Sequence, residues 1–185
     1  MTKVVLVAAV AAIVALPVLA LNGIESGLAK GENVTPFHPE HISGPLKGTE
    51  KCFPCTFGKR PALQVWVNND DMKNVAKIAE SLQANIDQHK GQEFKAMIVV
   101  LTNDKAATKM QINKALDLSK VQDVAISLIA PNNEAIKAYK INVDSSVKNT
   151  VLLYKDWTVA NKFVNVKMDE KSCGQLCEAI KGLVN

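Results

Sequence analysis

The sequence predicts an α/β fold: a three-layer sandwich with a mostly parallel central sheet, a C-terminal antiparallel hairpin and a final helix. Three observations support this prediction. From residue 62 onward, β-branched and aromatic segments alternate with segments of helical periodicity. One of them, 96–102, is a continuous apolar run, which suits a strand buried on both faces. Two adjacent strands then precede the last helix, which suits an antiparallel end to the sheet.

The first half of the pattern follows from strand composition and helix caps. The strand at 62–67 is rich in β-branched and aromatic residues. Asparagine and aspartate follow it and can cap a helix, and apolar residues at helical spacing predict that helix from Asp71 to Gln88. The buried strand at 96–102 and a second capped helix at 106–118 repeat this alternation.

The second half adds one more strand–helix pair and the antiparallel end. A tight turn at Lys155-Asp156 predicts a hairpin, and Asp169 caps a last helix with one apolar face. The predicted elements of this half are a strand at 124–129, a short helix from Pro131 to about Tyr139, strands at 150–154 and 157–164, and the helix after Asp169.

The N-terminus precedes this domain, predicted at 51–185, and has a different composition. Lys3 is the only charge in residues 1–20, and residues 4–20 are apolar. Two predictions remain open: a cleaved export signal or an uncleaved membrane anchor. Either one places the rest of the chain in an extracytoplasmic space, periplasmic or secreted. Residues 21–50 are predicted as an extended linker that becomes an ordered loop near Pro36.

Charge excludes one class of partner. The chain has 22 Lys and Arg against 18 Asp and Glu, a formal net charge of +4, and its basic residues are scattered. No basic stripe with interleaved aromatic residues is present, so we expect no nucleic-acid binding. We expect membrane contact only if the N-terminal segment is uncleaved.

The four cysteines, at 52, 55, 173 and 177, carry the main chemical signal. Disulfides persist outside the cytoplasm, and four cysteines allow three pairings. Cys52-Phe-Pro-Cys55 has the spacing of a small disulfide ring, in a segment that Gly58 and Pro61 should keep as an exposed loop. Lys51, Lys59 and Arg60 would lower the pKa of a thiol there. Redox activity, a structural disulfide and a metal site all remain open.

The metal hypothesis uses two histidines upstream. His38-x-x-His41 and Cys52-x-x-Cys55 each have metal-ligand spacing, and together they could hold zinc or copper. The alternative is that both histidines are ordinary loop residues between prolines. No His follows Cys55, which excludes covalent haem attachment.

Cys173 and Cys177 are predicted to pack in the core, on the same helix face as Leu176 and Ile180. Residues four apart on a helix are separated by about 5–6 Å at Cβ. A disulfide needs about 3.5–4.5 Å, so we expect no bond between these two cysteines. The functional alternative is that one of them resolves the Cys52/Cys55 pair.

The element order and the Cys-x-x-Cys resemble the thioredoxin-like superfamily, in the longer form shared by peroxiredoxins and exported thiol–disulfide oxidoreductases. The resemblance covers roughly residues 36–184. Four short stretches also resemble exported thioredoxin-domain proteins of unassigned function: Phe37-His-Pro-Glu-His41, Gly44-Pro-Leu-Lys-Gly-Thr49, Cys52-Phe-Pro-Cys55 and Val65-Trp-Val67.

The sequence departs from this resemblance at two positions. Thioredoxins keep the Cys-x-x-Cys just after the central strand, where this chain has Asn69 to Lys73 without a cysteine. Their cis-proline position is taken by Lys148-Asn149, where we expect a trans peptide bond because cis bonds are essentially confined to proline.

The resemblance nevertheless implies thiol–disulfide exchange with a protein partner through Cys52 and Cys55. By analogy with the usual order, Cys52 would attack and Cys55 would resolve. The alternative is a non-catalytic module that binds a protein partner or a metal through His38, His41 and the two cysteines, with the Cys-x-x-Cys as a structural element.

Overall fold

The computed structural model describes residues 24–185 and confirms the three-layer α/β architecture. The apolar N-terminal run, with its signal or anchor prediction, lies outside the described residues. The elements are β1 (Glu40–Ser43), α1 (Phe53–Phe57), β2 (Ala62–Val67), α2 (Met72–Gln88), β3 (Lys95–Leu101), α3 (Lys105–Ala115), β4 (Val124–Ile129), α4 (Glu134–Ala138), β5 (Asn149–Lys155), β6 (Thr158–Val164) and α5 (Glu170–Val184).

One six-stranded sheet has the order β1-β4-β3-β2-β5-β6. Strands β2, β3 and β4 are parallel, as the alternation predicted. Strand β5 pairs antiparallel with β2, β6 pairs antiparallel with β5, and β1 pairs antiparallel with β4. Within residues 24–185, no helix is long and apolar enough to cross a bilayer.

Alternating side chains of the central strands build two hydrophobic clusters, one on each face of the sheet. On one face, Leu63 and Val65 of β2 meet apolar residues of α2, α3 and α5. On the other face, Trp66 packs with Met97 of β3, with α4 and with the chain that precedes the domain. Burial on both faces explains why these strands are apolar at nearly every position.

Two elements were not predicted, β1 and α1. Each has no more than five residues, which is too few to show a periodicity. Strand β1 is formed by pairing with β4, and α1 begins with Pro54 in its first turn. The expectation that Gly58 and Pro61 keep the Cys-x-x-Cys segment a loop is therefore wrong, since Gly58 instead follows α1 as its C-cap.

Several predicted boundaries shift by a few residues. Helix α2 keeps its predicted end at Gln88 but begins at Met72, with Asp71 as its N-cap. Helix α3 ends at Ala115, three residues earlier than predicted. The hairpin turn is Asp156-Trp157 rather than Lys155-Asp156, and both turn residues have positive φ, as a tight β-hairpin turn requires.

The chain before α1 packs against the sheet and does not form an extended linker over its described part. We call residues 24–43 the N-terminal strap. Leu28, Val34 and Phe37 of the strap are buried in the second cluster. The rings of Phe37 and Trp66 are 4.9 Å apart at their centroids, and Tyr139 donates a hydrogen bond of 2.6 Å to the Thr35 carbonyl. The spacing of these buried strap residues matches neither a helix nor a strand, so their packing could not be predicted from the sequence.

The strap also reaches both edges of the sheet. At one edge, its end forms β1 on β4. At the other edge, Asn33 bridges Thr158 of β6, and the Val159 amide donates a hydrogen bond of 2.9 Å to the Glu32 carbonyl. The same twenty residues therefore cross one face of the sheet between its two outer strands.

Candidate functional site

Cys52 and Cys55 are joined by a disulfide with a Cα–Cα distance of 5.3 Å. Cys52 is the N-cap of α1, and Cys55 lies inside that helix. The Cys52 sulfur accepts a hydrogen bond of 3.1 Å from the Cys55 amide. A short helix that starts at the first cysteine thus brings the two sulfurs into bonding range.

The two ends of this disulfide differ in exposure. Cys52 is only 5% exposed, whereas Cys55 belongs to the exposed residues of the chain. Phe53, between them, is fully buried in the second cluster and packs edge-on against Phe57 with ring centroids 4.7 Å apart. Burial of Phe53 fixes the rotation of α1, which turns Cys52 inward and Cys55 outward.

The side chains of His38 and His41 form hydrogen bonds with the backbone just before Cys52. The exposed His38 has its Nδ1 2.9 Å from the Glu50 carbonyl. His41 is 1% exposed, and its Nε2 donates to the Lys51 carbonyl at 2.8 Å. Its Nδ1 is buried and has no hydrogen-bond partner in the described part of the chain. Desolvation lowers the pKa of His41, so the ring favours its neutral form.

The four predicted ligands for zinc or copper lie near one another along the chain but do not form a metal site. Both histidines lie next to the segment that holds Cys52, but their ring nitrogens bond backbone carbonyls, and the two sulfurs bond each other. Within residues 24–185, no three His, Cys, Asp or Glu side chains are grouped to hold a metal ion. The metal hypothesis therefore concerns the reduced protein and stays a prediction.

Positively charged residues flank the Cys-x-x-Cys segment in the chain, and one of them is paired with a carboxylate. Lys51 and Lys59 are exposed. Arg60 forms a salt bridge of 3.0 Å with Glu93, and Lys95 lies 5.6 Å above the centroid of the Phe57 ring. Within residues 24–185, Lys51 and Lys59 form no salt bridge, so the charges on either side of α1 are not neutralised by a carboxylate.

The disulfide lies at the end of the sheet where β2 and β3 begin. The segment after α1 leads directly into β2, and the Lys59 carbonyl accepts a hydrogen bond of 3.2 Å from Asp156 in the β5–β6 turn. Six residues of β2, about 20 Å of strand, separate this end from the start of α2. This topology puts the paired sulfurs at the opposite end of the sheet from the thioredoxin position.

A hydrogen-bonded cluster of polar side chains occupies the end of the sheet where thioredoxins have their cysteines. The Asp70 carboxylate accepts hydrogen bonds of 2.8 Å from Asn74 and 2.6 Å from Asn149. Asn149 is fully buried and also bonds both the amide and the carbonyl of Val166. Asp71 is the N-cap of α2. Sequence analysis missed this cluster because its members are far apart in the chain.

The Lys148-Asn149 bond is trans, as predicted, since no cis peptide occurs in residues 24–185. The Lys148 carbonyl accepts a hydrogen bond of 3.0 Å from the Asn68 amide. An open cleft of about 590 Å³ lies over this end of the sheet, with Lys73, Lys77 and Lys167 among its lining residues. Neither a thiol nor a histidine lines this cleft.

Cys173 and Cys177 are unbonded and half-buried. They face α2 rather than the core: the Cys173 sulfur is 4.0 Å from the Ser81 hydroxyl, and Asn85 donates to the Cys177 sulfur at 3.6 Å. Desolvation raises the pKa of the Cys177 thiol. The prediction that the two cysteines are not bonded to each other is confirmed. The predicted core position is not reached in full, because both cysteines are half-buried and contact polar side chains of α2.

The chain therefore has a thioredoxin-like fold in which a bonded Cys-x-x-Cys precedes the central strand. Solved structures bear out the fold. The thioredoxin domain of a thiol-disulfide oxidoreductase from Bacteroides vulgatus is 14% identical, with 85% of this chain and 99% of that chain covered and a TM-score of 0.63.

Two further structures are similar to the chain. A secreted disulfide oxidoreductase from Mycobacterium tuberculosis, homologous to E. coli DsbE, is 15% identical over 80% of this chain and 96% of that chain, with a TM-score of 0.53. A yeast mitochondrial 1-Cys peroxiredoxin is 14% identical over 84% and 76%, with a TM-score of 0.58. No family model and no curated protein matches the sequence. Identities this low establish the fold alone, so the function is argued from this chain's own residues.

Proposed function

We propose that the protein is an exported thiol–disulfide exchange protein that acts on a protein partner through Cys52 and Cys55. One observation carries the proposal: the bonded pair closes a four-residue ring with one cysteine buried and the other exposed. An exposed disulfide in a small ring is open to attack by a thiolate, which is the first step of exchange.

The exchange transfers two electrons between the pair and a partner. In the oxidising direction, two partner thiols become a disulfide while Cys52 and Cys55 become thiols that take up the two protons. The lysines at 51 and 59 favour the thiolate form of the exposed cysteine. Partner recognition falls to this end of the sheet, because the cleft at the opposite end has no thiol in its lining.

Insulin reduction by dithiothreitol tests the activity. The wild-type protein should accelerate it, and Cys52→Ser or Cys55→Ser should reduce the rate to that of the uncatalysed reaction. Cys173→Ser is the matched control, because its thiol is unbonded and lies on α5. Equal rates for wild type and the Cys52→Ser variant would remove the proposal.

Export belongs to the same proposal. Its support is the apolar segment at 4–20, together with a disulfide of the kind that persists outside the cytoplasm. Intact-mass measurement of the full chain expressed with its N-terminus separates the two possibilities. Loss of about twenty residues indicates a cleaved signal, whereas a full-length product in the membrane fraction indicates an anchor.

A non-catalytic metal-binding module is the second candidate, favoured by the buried Nδ1 of His41, which has no partner in the described residues. After reduction, Cys52 and Cys55 would be free to join His38 and His41 around zinc or copper. Metal analysis of the reduced, loaded protein tests this candidate, with His41→Ala and Cys55→Ala as variants. Absence of bound metal after loading would dismiss it.

A further inference from the structure

We propose that the order of attack in this site is the reverse of that expected by analogy: Cys55 forms the mixed disulfide with the partner, and Cys52 is the leaving and resolving sulfur. This inference rests on the proposed exchange activity and assigns the role of each sulfur within it. It follows from three features of α1, namely access, anchoring and the hydrogen bond to Cys52.

Access favours Cys55. In thiol–disulfide exchange the incoming thiolate approaches along the S–S axis, from behind the sulfur that it attacks. Attack on Cys55 therefore comes from the side on which Cys55 is exposed. Attack on Cys52 would have to come from the opposite side, where Cys52 is 5% exposed and the neighbouring Phe53 is fully buried. The fold blocks that approach.

Anchoring also favours Cys55 as the partner-linked residue. The carbonyls of the two residues before Cys52 are held by His38 and His41, at 2.9 Å and 2.8 Å. Phe53 holds the backbone on the other side of Cys52. A bulky partner attached to Cys52 would have to displace these contacts, whereas one attached to Cys55 extends into solvent.

The hydrogen bond to Cys52 favours it as the leaving sulfur. The Cys55 amide donates to the Cys52 sulfur at 3.1 Å while the disulfide is still intact. When the S–S bond breaks, negative charge develops on the sulfur that leaves. An N–H that already points at this sulfur stabilises the charge without rearrangement.

The steps balance in both directions. In oxidation of a partner, a partner thiolate bonds to Cys55 and the Cys52–Cys55 bond breaks, leaving Cys52 as a thiolate. A second partner thiolate then attacks the partner's own sulfur, which forms the partner disulfide and releases Cys55 as a thiolate. In reduction, the Cys55 thiolate attacks the partner disulfide, forms a mixed disulfide with one partner sulfur and expels the other as the first partner thiolate. Cys52 then attacks the Cys55 sulfur and expels the second partner thiolate.

Adduct mapping on the wild-type protein tests the order without any substitution. The oxidised protein is mixed with reduced glutathione, quenched with acid and alkylated with N-ethylmaleimide. Fragmentation of the peptide spanning residues 52–59 then locates each group. We expect glutathione on Cys55 and the alkyl group on Cys52, at a ratio of at least about tenfold, as for an exposed cysteine beside a buried one. Glutathione mainly on Cys52, or equally on both, would overturn the inference.

Single-thiol variants give a second measurement. In a Cys173→Ser, Cys177→Ser background, Cys52→Ser leaves only the thiol of Cys55, and Cys55→Ser leaves only that of Cys52. Native Cys52→Ser should react with Ellman's reagent at least about tenfold faster than native Cys55→Ser, and the two should react alike in urea. The opposite ranking would contradict the order.

The failure of the inference and that of the proposed function have different signatures. If wild type accelerates insulin reduction but carries glutathione on Cys52, the reversed order is wrong and the exchange function stands. If the native protein neither accelerates insulin reduction nor forms a glutathione adduct, while the urea-unfolded protein forms one, both are wrong.

Discussion

Reduction of the Cys52–Cys55 bond should cost the fold little, and this prediction separates an exchanging disulfide from a structural one. The bond closes a loop of only four residues, since its sequence separation is 3. The loop-entropy relation gives such a ring about 2 kcal/mol of stabilisation near room temperature. The two hydrophobic clusters do not depend on the bond, because Phe53 remains buried by its own packing.

The measurement is urea denaturation of the oxidised protein and of the protein kept in dithiothreitol. With a urea m-value of about 2 kcal/mol per molar, the midpoint should fall by about 1 M on reduction. The reduced protein should still unfold cooperatively, and its thermal midpoint should fall by only about 4–8 °C. A matched control is the Cys52→Ala, Cys55→Ala variant, whose midpoint dithiothreitol should not move.

A large loss would refute this reasoning. If reduction lowers the free energy of unfolding by more than about 4 kcal/mol, or abolishes the transition, the bond holds the structure together, as disulfides do in small secreted domains. A protein that unfolds whenever its pair is reduced cannot cycle between the two redox forms. The exchange proposal would then fail together with the loop-entropy estimate.

Three further predictions concern groups outside the disulfide. Because burial lowers the pKa of His41 below its ordinary value of 6.5, the unfolded chain takes up the proton first. The free energy of unfolding should therefore be highest above about pH 6.5 and fall as the pH drops below it. The urea midpoint of His41→Gln should fall less between pH 7 and pH 5 than that of the wild type, and an equal fall would contradict the assignment. Asn149→Ala removes three hydrogen bonds and should lower the free energy of unfolding, measured by urea denaturation, by about 2–4 kcal/mol. The exposed control Asn132→Ala should lower it by less than about 0.5 kcal/mol, and similar losses for the two variants would contradict the account. Because burial raises the pKa of the Cys177 thiol, its alkylation by N-ethylmaleimide in the native protein at pH 8 should be slower than in urea, and equal rates would argue against the burial.

Long apolar strands made most of the fold predictable from the sequence. Strand β4 was predicted to the residue, and β2 likewise, because a strand buried on both faces has a continuous apolar composition that loops lack. The caps Asp104 and Asp169 were expected from residue type, and both side chains accept amide hydrogen bonds in the structure. Local chemistry determined these features, so local analysis found them.

The rest depended on contacts between distant segments. Strand β1 exists because it pairs with β4, and α1 is oriented by the burial of Phe53. Spacing could therefore predict the Cys52–Cys55 ring but not which cysteine faces solvent. The two histidines have the spacing of metal ligands, yet their ring nitrogens bond carbonyls twelve and ten residues further along the chain, a pairing that no sequence pattern announces.

The N-terminal strap has a consequence for how the protein behaves at high concentration. Open sheet edges present unpaired N–H and C=O groups, which can recruit strands from other molecules. Here one continuous segment blocks both sides: β1 covers β4, and residues 31–34 cover the start of β6. Deletion of residues 24–43 would uncover both edges at once, and fibrous aggregation rather than simple unfolding would be its characteristic result.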